Sequence, residues 1–146
     1  MATWADFESA APELATFGAG RLRQPVAYLG TVRPDGSARV HAISPIVGGG
    51  RLFVFMEPTS PKGHDLRRDP RYTLHSLVTD QNGTGGELLI RGRATPIDDA
   101  ATRRVAAEAA NYTPADRYVL FELSIEGVAS TVYENGRPRR HRWGTP

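Results

Sequence analysis

No cysteine occurs in the 146 residues. Disulfides, thiolate metal sites and cysteine nucleophiles are excluded outright. Lysine is almost as scarce: among 18 basic residues, Lys62 is the one lysine and the rest are arginines. No apolar run is long enough to cross a bilayer as a helix. Met1 to Glu8 lacks both the basic and the apolar regions of a signal peptide, so the expected compartment is the cytoplasm and no membrane partner is expected. Charge of one sign is also in short supply, with a net value of only +2. Its one concentration is Arg137-Pro138-Arg139-Arg140-His141-Arg142-Trp143. Arginines on a short terminus without interleaved aromatics are weak evidence for a nucleic-acid contact, and nucleic acid is not the expected partner. His64 and His75 have no carboxylate at metal-ligand spacing, so no metal site is expected.

What is present suits one globular domain over residues 1–146, since 40% hydrophobic content can build a core. Residues 1–20 read as an N-terminal helical region and 134–146 as a basic tail. Thr3 and Asp6 form a capping-box-like start, and Trp4, Phe7, Ala11, Leu14 and Ala15 share a face to Phe17. Pro12 predicts a break near Ala11, and Gly18-Ala19-Gly20 an end. Pro25–Val32 and Ala38–Val47 are strand patterns around a Pro34-Asp35-Gly36 turn. Gly48-Gly49-Gly50 leads into the strand Leu52–Met56.

A short helix is expected over Asp65–Asp69, then strands at Tyr72–Val78 and Glu87–Ile97, with Gly92 marking a bulge. A polar, glycine-rich loop at Thr79–Gly86 joins them. Asp98 or Asp99 caps a helix to about Ala110, with Val105, Ala106 and Ala109 facing inward. Thr113-Pro114 reads as a further helical turn, and Tyr118–Glu126 and Val128–Tyr133 as strands. The fold class is therefore mainly β (α+β), an antiparallel barrel of six to seven strands with peripheral helices.

The stretch Thr59-Ser60-Pro61-Lys62-Gly63-His64-Asp65-Leu66-Arg67-Arg68-Asp69-Pro70-Arg71 stands out. Ser60 can cap a helix, and Pro61 at the first position needs no backbone donor. First-turn amides carry the positive end of the helix dipole. Two hydroxyls and an ammonium beside such a start make a phosphate seat. Arg39 and His41 share a strand face by the period of two.

Three segments resemble the pyridoxamine 5′-phosphate oxidase-like, FMN-binding split β-barrel proteins: Ala27 to Pro45, Arg51 to Arg71 and Glu87 to Thr95. The second, in which S-x-K leads into a helix closed by R-D-P-R, is the specific one. The resemblance implies a flavoprotein oxidoreductase, a homodimer with FMN in each interface groove and a small-molecule substrate. By position it implies that Arg39, Val40, His41 and Ala42 line the flavin edge. Phe55 and Met56 would supply backbone and apolar contacts, and Thr59, Ser60 and Lys62 would hold the phosphate. Arg67, about a turn beyond Lys62, is a further phosphate candidate. The cofactor would carry the chemistry, with no catalytic residue required of the chain. Two departures point away from vitamin B6 oxidation: Pro61 replaces the family's usual arginine, and Glu87 falls where a glutamine is common. A deazaflavin coenzyme, a haem-binding or other non-catalytic module of the same fold, or no cofactor at all are the alternatives.

Overall fold

Two helices open the chain in the computed structural model, which describes residues 1–146. They are α1 (Trp4–Ala10) and α2 (Pro12–Leu22). The reciprocal Thr3–Asp6 capping box forms, and the chain leaves helical geometry at Ala11 (φ −142°, ψ 66°). Pro12 then begins α2 rather than merely kinking one helix. The expected end at Gly18 to Gly20 does not occur. Gly18 is buried, and a Cβ there would lie 3.3 Å from Leu88 and 3.5 Å from Trp4. Close docking of α2 on the barrel thus overrides glycine's poor helix propensity.

Next come β1 (Ala27–Val32), β2 (Ala38–Ile43), β3 (Ile46–Gly48) and β4 (Arg51–Met56). The second strand expected over Ala38–Val47 is therefore two strands. Ser44-Pro45 breaks it, because Pro45 has no amide for a ladder. The order continues with α3 (Pro61–Arg68), β5 (Arg71–Ser76), β6 (Glu87–Ile97) and α4 (Ala100–Ala109). It ends with β7 (Val119–Glu134) and β8 (Arg137–Gly144). Asp99 caps α4. No helix forms at Thr113-Pro114; the chain there is turn and irregular backbone.

Every strand pair is antiparallel, in the order β2-β1-β5-β6-β7-β4-β3, with β8 paired to β7 off that path. The fold class is the expected α+β split barrel, with eight strands rather than six or seven. β7 makes the split. Its start, Val119–Glu122, pairs with β4, while its far end, Gly127–Glu134, pairs with β8. The basic segment is thus a strand and not a loose tail. The register between β6 and β7 shifts at Arg91/Gly92, as the glycine predicted.

Alternation along β4 feeds two cores. Leu52, Val54 and Met56 point into the barrel with Leu29, Leu74, Ile90 and Phe121. Phe53 and Phe55 face the other way, with Ile46, Leu120 and Ala106 of α4. Both faces are covered, which is why the sequence there is a continuous hydrophobic run. Val105 and Ala109 of α4 lie outside this core, over Gly49 and Gly48 at the end of β3.

Candidate functional site

The end of β4 delivers the chain to α3. Ser60 (φ −67°, ψ 137°) is its N-cap, and the Ser60 hydroxyl accepts a hydrogen bond from the Gly63 amide at 3.2 Å. Pro61 occupies the first turn without wasting a donor. Gly63 lets the helix sit close: a Cβ there would be 3.1 Å from the Met56 sulfur. Leu66 anchors the buried face.

Lys62 follows the cap. It is half-buried, makes no ion pair, and burial lowers its pKa from the ordinary lysine value. Across from it runs β2, whose residues alternate between two faces. Arg39 pairs with Thr31 and His41 with Leu29, both buried, so these two side chains turn toward the barrel and α3. Val40 and Ala42 pair with Gly30 and Tyr28 and turn outward; Val40 is 66% exposed. The four β2 candidates therefore belong to opposite faces of one strand.

The inward pair forms a cluster with α3. Burial, then the charges of Lys62 and Arg39, lower the His41 pKa, against a smaller opposing effect from Asp65. Asp65 is 1% exposed. Its Oδ2 accepts from Thr31 Oγ1 at 2.8 Å and from Arg39 Nε at 2.6 Å, and Oδ1 accepts from Arg68 at 3.3 Å. Burial alone would raise its pKa, but the hydrogen bonds from Arg39, Thr31 and Arg68 outweigh it and the net direction is down. Arg68 also donates to the Val32 carbonyl, tying the end of α3 to β1.

The remaining candidates are placed differently. Thr59 is exposed just before the cap. The Phe55 and Met56 side chains are buried, and the Arg103 guanidinium lies 5.0 Å from the Phe55 ring centroid. β3 ends opposite Phe53, so beyond it β4 has a strand partner on the β7 side alone, and the other backbone edge at Phe55 and Met56 has no strand partner. Arg67 is five residues from Lys62, about 140° around a helix. Its guanidinium lies 5.5 Å from the Phe121 ring centroid, so the structure does not bring it to Lys62. Glu87 sits on β6 with an oxygen 3.9 Å from His75 Nε2.

Sequence reading missed Asp65, Thr31 and Arg68. A signal was available. Gly63 and Leu66 flank Asp65 on the inner face of a short helix, and a carboxylate placed there requires a cation from elsewhere in the chain.

An antiparallel split barrel that sets a half-buried lysine beside a serine-capped helix start defines the class of fold. The pyridoxamine 5′-phosphate oxidase family model matches residues 12–132, and the chain belongs to that family. No curated protein matches it in sequence. Among solved structures it is similar to a heme binding protein from Mycobacterium smegmatis, at 20% identity and TM-score 0.68. That match covers 90% of this chain and 57% of the other, so this chain spans little more than half of that protein. It is also similar to PhzG from Burkholderia lata 383 in complex with tetrahydrophenazine-1-carboxylic acid, at 19% identity and TM-score 0.65, over 96% of this chain and 86% of that one. An F420 reductase matches at 19% identity and TM-score 0.56, over 75% and 93%. At such identities the likeness is one of fold.

Proposed function

We propose that the chain binds flavin mononucleotide and works as an oxidoreductase on a small molecule, as a homodimer with the cofactor between the two copies. The observation that carries this reading is Lys62. A half-buried ammonium with no carboxylate partner, beside a serine-capped helix start, is an electrostatic demand for an anion. The Ser60 oxygen accepts from Gly63, which leaves its hydroxyl hydrogen to donate. His41 and Arg39 complete a wall that a phosphate or an electron-rich ring edge would satisfy.

The residues present fit a flavin phosphate. Bound there, the cofactor supplies hydride transfer through its isoalloxazine ring. Lys62 and Ser60 hold the phosphate, and the free nitrogens of Arg39 stabilise negative charge. Backbone at Phe55 and Met56 borders the ring. Closure by a second copy is supported by the outer sheet face. There Ala42, Tyr28, His75, Leu89, Ala129 and Arg142 stand in one cross-strand row. With Val40 they make an uncovered, largely apolar surface next to the edge strand β2.

The test is an absorption spectrum of the purified protein, before and after titration with FMN. Expected are flavin bands, stoichiometric binding, and bleaching with a nicotinamide reductant. Lys62→Ala should weaken FMN binding at least tenfold; unchanged affinity overturns the phosphate assignment. A deazaflavin band or a haem Soret band replaces the cofactor, and no binding of FMN removes the flavin reading.

A further inference from the structure

We infer that Asp65 is a positioning residue for this groove, acting through Arg39 to hold the guanidinium in its ligand-facing pose. The inference rests on the groove being the anionic cofactor's seat. The Arg39 side chain is 20% exposed, and its one hydrogen bond within the chain is from Nε to Asp65, at 2.6 Å. Both terminal nitrogens remain without a partner in the chain. An arginine gripped at Nε keeps the outer edge of its planar fork free, with the side-chain torsions already fixed. Asp65 is itself held from two further directions, by Thr31 of β1 and Arg68 of α3. The grip is therefore referenced to the strand and the helix that frame the groove.

The sign of the effect separates this role from the alternative. A carboxylate close to an anion seat lowers the local positive potential. Were Asp65 only a counter-charge, neutralising it would tighten anion binding, most of all at low salt. A positioning role predicts the opposite, because a released Arg39 must be ordered anew at each binding event.

FMN affinity of the full chain is measured by flavin fluorescence quenching for wild type, Asp65→Asn, Arg39→Ala and the double variant, at low and high salt. Asp65→Asn should weaken binding about tenfold. In the Arg39→Ala background the same change should cost less than twofold, since the residue it acts through is gone. Thr31→Val removes one of the two anchors of this carboxylate, and should lower thermal stability and weaken affinity, by less than Asp65→Asn does. If Asp65→Asn does not fold, Arg39→Lys takes its place. It keeps the charge but loses the free fork, and should also bind about tenfold more weakly. Tighter or unchanged binding by Asp65→Asn, or by Arg39→Lys in its place, overturns the inference and leaves the flavin reading standing. Failure of the wild type to bind FMN overturns both.

Discussion

The rings of Phe7 and Trp143 meet at 5.2 Å between centroids, joining the first helix to the last strand. Phe7 is fully buried, Trp143 partly so, and Trp4 adds an edge-on contact to Phe7 at 5.2 Å. This small aromatic stack fastens β8 to the barrel at the one place where its side chains are not exposed. Trp143→Ala should cost about 2 kcal/mol, below the 3–5 of a fully buried aromatic. Trp143→Phe should recover most of that. Urea denaturation followed by circular dichroism checks both, and an unchanged midpoint for Trp143→Ala would show that β8 is held by its ladder alone.

What the sequence made legible was local. The Pro34-Asp35-Gly36 turn, the Ser60 cap and the alternation of the inner strands are settled by neighbours within a few residues, and the structure has all three. What it hid depends on distant partners. Arg137–Gly144 has no apolar alternation and reads as a tail; it is a strand because the far end of β7 needs an edge partner. Lys62 and Ser60 could be singled out by adjacency, whereas the grip of Asp65 on Arg39 joins residues 26 apart in the chain. Arg67, a further phosphate candidate about one turn beyond Lys62 in sequence, lies over the Phe121 ring on a different side of the helix.

Gly92 yields a sharp steric prediction. A Cβ there would stand 1.8 Å from the Ser124 carbonyl oxygen, which also accepts the Tyr72 hydroxyl bond at 2.8 Å. Backbone cannot move aside there without opening the β6–β7 bulge. Gly92→Ala should destabilise by more than about 3 kcal/mol. Soluble yield and the urea midpoint are the readouts, and wild-type values for both would mean that the bulge relaxes freely.

Arg51 and Glu122 form a two-pronged pair across β4 and β7, Nε to Oε2 at 2.9 Å and Nη2 to Oε1 at 2.5 Å. Arg51 also donates to Thr102 of α4 at 3.3 Å, so the pair braces the second core. Partial exposure limits its worth. Arg51→Ala and Glu122→Ala should each cost about 1–2 kcal/mol, with the double variant recovering roughly 1 kcal/mol of coupling. Strict additivity in that cycle would reduce the pair to a crystal-like surface contact of no energetic weight.

The pH dependence of stability follows from His41. Burial and the nearby charges of Lys62 and Arg39 hold its folded pKa below the ordinary 6.5. As pH falls below about 6.5, the unfolded chain binds a proton that the folded chain still refuses, so stability declines until the folded value is reached. Above that window His41 is neutral in both states and contributes no slope. Denaturation midpoints of wild type and His41→Gln, measured between about pH 5 and 7.5, should therefore converge toward neutral pH in slope and diverge on acidification, with the wild type falling faster. A bound phosphate supplies the negative charge that the cluster lacks, raises the His41 pKa and shrinks the difference. Identical slopes for the two proteins would place His41 outside the field of Lys62 and Arg39. A difference that millimolar phosphate leaves untouched would place the anion elsewhere than in this groove.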